Sequence, residues 1–113
     1  MAKKAVELAP GEDELWYLLG VAQYRAGNWR DAVAALEQSR ALGSAGGDDL
    51  EFYLAMAYGR LGDKTQADTW YKKAVQLMNQ HKNDLEKWPQ YLQELNRIRT
   101  EAATILGVKE EKK

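Results

Sequence analysis

Residues Leu54 to Val75 read LAMAYGRLGDKTQADTWYKKAV, and this stretch decides the fold. Leu54 and Ala57 recur at helical spacing and run up to Leu61. Gly62 then stops that helix, because glycine adopts the left-handed conformation at a helix C-terminus without steric cost. Asp63 follows as a side-chain cap for a second helix, on which Ala67, Tyr71 and Ala74 share one face. The stretch therefore predicts two helices joined by a tight turn. Its outer limits lie at Asp48 or Asp49 upstream and at about Asn79 downstream.

Working outward, the same pattern is found earlier in the chain. Leu19, Ala22, Gly27, Ala32 and Leu42 precede Leu54, Ala57, Gly62, Ala67 and Leu77 by 35 residues each. Lys3-Lys4-Ala5-Val6-Glu7-Leu8 returns as Lys72-Lys73-Ala74-Val75-Gln76-Leu77, 69 residues later. In the middle copy, Glu37 to Leu42, only the final Leu is kept. A fixed period of this size marks stacked supersecondary units. The first unit predicts a helix over 14–26, with Leu15, Trp16, Leu18, Leu19, Ala22 and Ala26 apolar. Asp13 or its acidic neighbours cap it, Gly27 ends it, and Asn28 caps a second helix over 29–42 with Ala32, Val33, Leu36 and Leu42 inward. Residues 43–47 form the connecting loop. Ala22 with Ala32, and Ala57 with Ala67, are expected to face each other within each hairpin. Trp16, Leu19, Leu36, Leu54 and Tyr71 should fill the space around them.

Composition excludes several function classes. The 113 residues carry 16 Lys and Arg against 17 Asp and Glu, so there is no basic excess to neutralise a phosphate backbone. Nor is there a polybasic patch for an anionic membrane surface. No apolar run approaches the ~20 residues that span a bilayer, and no leader pattern opens the sequence. Cysteine is absent, which removes disulfides, thiolate metal sites and a cysteine nucleophile. His81 is the sole histidine and reads as a solvated loop residue; a histidine metal site or a Ser-His-Asp triad has nothing to build on. Gly43 to Gly47 lacks the strand and lysine of a phosphate loop. No carboxylate pair suggests acid/base catalysis. Glu12-Asp13-Glu14 and Asp48-Asp49 read as macrodipole support at helix starts. No cofactor and no metal is expected, the chain is not expected to be an enzyme, and the expected location is cytoplasmic.

Trp16, Leu19, Gly20, Gly27 and Ala32, with Leu54, Ala55, Tyr58, Gly62, Ala67, Tyr71 and Ala74, resemble the tetratricopeptide repeat signature over residues 3–79. Departures are Gln23, Ser44, Glu51 and Asn79, where the family more often has Tyr, Pro, Trp and Pro. The resemblance implies an all-α fold of right-handed superhelical helix-turn-helix repeats. It also implies a concave groove lined by the first helix of each unit. Glu14, Tyr17, Leu18, Val21, Tyr24 and Arg25 would face that groove in the first unit. Asp49, Phe52, Tyr53, Met56, Gly59 and Arg60 would do so in the second. Tyr17, Val21, Tyr24, Arg25, Phe52, Tyr53, Met56 and Arg60 are the candidate partner-binding residues, since aromatics and arginine concentrate interface energy. The competing reading is that the apolar members pack between helices. Arg25 and Arg60 are equivalent in the repeat and should stand side by side, able to pair one acidic group. The Lys/Asn/Arg clamp with which some family members hold chaperone C-termini is absent.

One domain is expected over 1–113: residues 3–10 as the tail of a preceding repeat helix, 13–46 as repeat one, 48–81 as repeat two, and 89–107 as a capping helix. Pro10 matches the closing proline of a repeat, so the expectation is a piece of a longer protein with an incidental Met1. His81 to Asp84 reads as a polar connection. Trp88-Pro89 opens the last helix, with Leu92, Leu95, Ile98, Ala102, Ile105 and Leu106 on one face and Gly107 at its end. That helix would cap the solenoid, or else swap onto a neighbouring molecule. Its closing residues Arg99 to Gly107 look similar to repeat segments of large bacterial proteins, some of which carry a Ser/Thr kinase domain. The leading expectation is a protein-protein interaction module for a peptide or helix, with no nucleic-acid or membrane partner. The alternatives are a structural spacer, a homodimer formed through the N-terminal flank, or a regulatory arm of a larger enzyme.

Overall fold

The computed structural model describes residues 11–43 and 49–108. The readings placed on residues 3–10, on Asp48 and on most of the 43–47 loop lie outside the described residues, as does the charged C-terminal stretch from Lys109. Among the described residues six helices follow in order: α1 (Asp13–Arg25), α2 (Trp29–Ala41), α3 (Leu50–Arg60), α4 (Lys64–Gln80), α5 (Lys82–Leu85) and α6 (Pro89–Leu106). Among the described residues there is no strand. The architecture is all-α, as the repeat pattern predicts.

Both hairpins turn by the same hydrogen bonds. The Gly27 N–H donates to the Tyr24 carbonyl at 3.0 Å and the Asn28 N–H to Gln23 at 2.9 Å. The Gly62 N–H donates to Gly59 at 3.2 Å and the Asp63 N–H to Tyr58 at 3.0 Å. Gly27 and Gly62 sit at φ 86° and 84°, a region closed to most side chains, so the glycine period in the sequence is a turn period. Asp63 caps α4 as expected, accepting from the Gln66 N–H at 3.1 Å. Asn28 and Asp49 occupy cap positions without capping. Asn28 instead donates its Nδ2 to Gln23 Oε1 at 2.7 Å. At α1 the cap position falls on Glu12, also without a side-chain bond, and Asp13 lies inside the first turn.

α1 packs on α2 and α3 on α4, and α2 joins the two hairpins by packing on α3. Ala32, Ala57 and Ala67 are buried, but Ala22 is exposed. The close approach in the first hairpin falls on Gly20, where an added Cβ would lie 2.5 Å from Leu36 Cγ. Among the described residues Ala22 lies on an edge helix, whereas α3, which carries Ala57, is packed on by α2, α4 and α6. Leu42, expected inward, is 38% exposed at the end of α2. Ser39 of α2 donates to the Asp13 carbonyl at 2.8 Å and ties the open end of that hairpin.

The tail departs most from expectation. Residues 82–85 form a short helical turn whose Leu85 is buried in the core, where the sequence reads as a polar connection. Pro89 is the first residue of α6, as its sequence position predicts. α6 packs chiefly on α3 and less on α4. Leu95, Ile98, Ala102 and Ala103 carry that contact and are all buried.

Candidate partner-binding face

α3 lies between α1 and α6, which do not pack on each other among the described residues. One side-chain link and one weaker electrostatic coupling nevertheless span from α1 to α6. Arg25 Nη1 donates to Glu101 Oε2 at 2.7 Å and its Nη2 to Oε1 at 3.2 Å. Tyr91 stands near enough to Tyr17 to add to the upward shift of its pKa. Early residues of α1 thus meet early residues of α6, and late meet late, so the two helices run parallel. Between them α3 forms the floor of a narrow trough.

That placement sorts the eight candidate residues. Phe52 and Met56 are wholly buried, and Tyr24 and Tyr53 are 5% exposed. The expectation that all four face an open groove is corrected: Phe52 turns into its own hairpin, edge-on to Tyr71 at 5.8 Å, and α6 covers the face of α3. Tyr24 and Tyr53 meet edge-to-face at 5.8 Å. Tyr17 and Val21 are half-buried, while Arg25 and Arg60 are exposed.

The electrostatics follow from this geometry. The Tyr17 hydroxyl donates to the Asp49 carboxylate, 2.8 Å from each oxygen. Burial and then the Asp49 charge push the Tyr17 pKa well up, since both disfavour a phenolate. Burial raises Tyr53 too, against the opposing pull of Arg25, whose Nη2 donates to its hydroxyl at 3.2 Å. Arg25 sits 5.5 Å from the Tyr24 ring and 5.4 Å from the Tyr53 ring, and its hydrogen bond to Glu101 raises its pKa further.

Arg25 and Arg60 do line one cleft, of about 290 Å³, with Tyr24, Gly27, Trp29 and Glu101. They are not equivalent within it. Arg25 is taken by Glu101, whereas Arg60 lies over the Trp29 ring at 5.8 Å. Trp29 and Trp70 are both packed against the core, each beneath an arginine; Arg40 is 4.7 Å from Trp70.

Two features escape the sequence. Glu101 as the partner of Arg25 has no signal, because α6 has no second copy to compare. Tyr91 at 39% exposure had none either. Leu18, 48% exposed, was legible as one of the two apolar members, with Val21, of the stripe Glu14, Leu18, Val21 and Arg25 on α1.

No group of three or more His, Cys, Asp and Glu side chains is arranged to hold a metal among the described residues. No helix among them is long and apolar enough to cross a membrane. Residues 14–41 and 53–81 each match a tetratricopeptide repeat family model. Comparison with curated proteins and with solved structures returned no match. The two repeats, each a helical hairpin closed at its glycine, make the chain a member of the tetratricopeptide repeat family. Such repeats are generally protein-protein interaction modules and typically non-catalytic.

Proposed function

We propose that this chain binds a segment of a partner protein along α1, at the side of the trough that α6 leaves uncovered. The observation that carries the reading is Leu18. It stands 48% exposed in the middle of a stripe with half-buried Val21 and beside half-buried Tyr17. An apolar side chain held out on a rigid helix, beside a tyrosine and with an arginine-bearing cleft two turns past it, supports a contact surface for another protein. Tyr17, Val21, Arg25 and Arg60 are the sequence candidates that remain reachable there. Affinity capture from cell extract with the wild type and Leu18→Asp tests it, the variant losing the partner that the wild type retains.

A second reading has its own observation. Leu19 and Ala35, with Leu15 and Trp16, form a small apolar cluster separate from the main core, at the outer edge of the first hairpin. A second copy of the chain could cover that edge. Light scattering behind size exclusion decides it: a dimer that Trp16→Glu dissociates supports self-association, and a monomer at high concentration removes it.

A further inference from the structure

We propose that the cleft between the ends of the two hairpins is a carboxylate-binding subsite, in which Arg60, held over Trp29, takes an acidic group of the bound partner. This rests on the partner-binding reading and gives it a ligand chemistry.

The cleft is built where the last turn of α1, the first turn of α2, the last turn of α3 and the middle of α6 converge. Of the three charged side chains in its wall, Arg25 and Arg60 are positive and Glu101 is negative, which leaves one positive charge. Glu101 accepts from both terminal nitrogens of Arg25 and satisfies it. Arg60 has no ion pair among the described residues; its interaction there is with the Trp29 ring. A guanidinium lying over an aromatic ring keeps its N–H donors in its own plane and turned outward, the fork that matches a carboxylate. The aromatic contact also limits the rotamer freedom that Arg60 would lose on binding.

A second observation points the same way. Tyr24, which lines the cleft, is 5% exposed, and its hydroxyl is buried without a hydrogen-bond partner. Buried hydroxyls are ordinarily paired, and an orphan is costly. The hydroxyl has no exposed surface in the free protein, so it reaches a carboxylate held by Arg60 only if the ring shifts on binding, and that shift would give it the missing acceptor. A single surplus positive charge complements a monoanion, which favours a carboxylate over a doubly charged phosphate.

Arg25 and Glu101 already display the chemistry within the chain. Their bidentate pair, beside two tyrosine rings, is the internal counterpart of the contact that Arg60 lacks.

The test is an amide-resonance titration of the intact chain with three capped tripeptides. Acetyl-Gly-Glu-Gly-amide offers one side-chain carboxylate, acetyl-Gly-Gly-Gly free acid one terminal carboxylate, and acetyl-Gly-Gln-Gly-amide none. Saturable shifts at Gly27, at the Trp29 indole N–H and at Arg60 with either acidic peptide, and not with the glutamine peptide, are expected; which acid binds tighter tells whether the source is a side chain or a chain end. Arg60→Ala should weaken that binding about tenfold or more, the usual loss for a charge-assisted hydrogen bond. Arg60→Lys should weaken it too, since the fork is gone. Glu101→Gln should tighten it, because Arg25 is then released to the ligand. Arg60 is exposed, so these variants keep the fold, and Lys72→Ala, on an exposed face of α4 away from the cleft, should leave binding unchanged. Equal shifts with the glutamine peptide, no shift with either acid, or full binding by Arg60→Ala overturns the subsite. If partner capture through Leu18 survives such a result, the binding-module reading stands without it. If the acid binds while Leu18→Asp still captures every partner, the reverse holds.

Discussion

Arg25 and Glu101, 76 residues apart, are joined by two hydrogen bonds of 2.7 and 3.2 Å, and through them the first repeat reaches over the second to hold the tail helix. Arg25 is the last residue of α1, and Glu101 is five residues from the end of α6. Their contact spans the trough above Tyr53 and turns what the repeat pattern presents as an open concave face into one partly roofed by the chain itself.

The pair is exposed, at 43% for the Arg25 side chain and 27% for Glu101, so water screens it. Glu101→Ala should therefore lower the unfolding free energy by less than about 1 kcal/mol. It should still speed hydrogen exchange in the second half of α6. Denaturant melts and exchange rates at Ala102 and Ala103 check both. A loss above about 2 kcal/mol would mean that the pair carries the docking of α6, which exposed ion pairs do not.

The apolar contact should carry it instead. Ile98 is 1% exposed at the buried face of α6. Ile98→Ala removes buried methyl groups and leaves a cavity, at a cost of about 2–4 kcal/mol. A urea melt showing a change under about 0.5 kcal/mol would contradict the packing of this helix.

Two glycines within helices should respond to alanine in opposite directions. At Gly20 the new Cβ would sit 2.5 Å from Leu36 Cγ and 2.6 Å from Cδ2, and Leu36 is fully buried. The overpacking, about 1–3 kcal/mol, exceeds the roughly 1 kcal/mol that alanine gains in helix propensity, so Gly20→Ala destabilises. At Gly59 the nearest atoms, on Ile105 and Leu106, lie at 3.4 Å, an ordinary contact. Gly59→Ala should be neutral or stabilise by up to about 1 kcal/mol. Thermal melts of the two variants, moving in the same direction by equal amounts, would contradict the packing described for Gly20.

Alkaline pH should weaken the fold in a defined window. Burial and the hydrogen bond to Glu37 push Tyr58 up to about 12 from its ordinary value of 10.0. Tyr17 and Tyr53 are also raised. A folded-state pKa above the unfolded one means stability that is complete below pH 10 and is lost as pH climbs toward 12. The melting temperature should fall from pH 10 upward, and less steeply in Tyr58→Phe. Identical pH profiles for the two proteins would remove Tyr58 from the account.

The hairpins were legible because each is written twice. Gly27 and Gly62 fix the turns, and the helix limits read from the sequence lie within one or two residues of α1–α4. Ala57 and Ala67 are buried as expected, but Ala22 shows what a repeat cannot specify: an edge helix leaves bare what a central one covers. The tail is written once. Its apolar spacing establishes that α6 has a face to bury, and says nothing of which surface receives it. Tyr17, Val21 and Arg25 on α1 consequently stayed reachable, while Tyr24, Phe52, Tyr53 and Met56 became floor or core. Leu85 was lost among polar neighbours, where a single apolar residue gives no period to detect.

The most direct measurement is the affinity of a captured partner for three forms of the protein: wild type, Leu18→Asp, and Lys72→Ala with Lys73→Ala on an exposed face of α4. Leu18 is the better probe than Tyr53, whose burial would confound binding with folding. The account predicts that Leu18→Asp weakens binding by about 2 kcal/mol or more, the loss of an interface centre, while the lysine variant binds as the wild type does. Equal affinities for all three folded proteins would show that α1 is not the binding face, and would contradict the account.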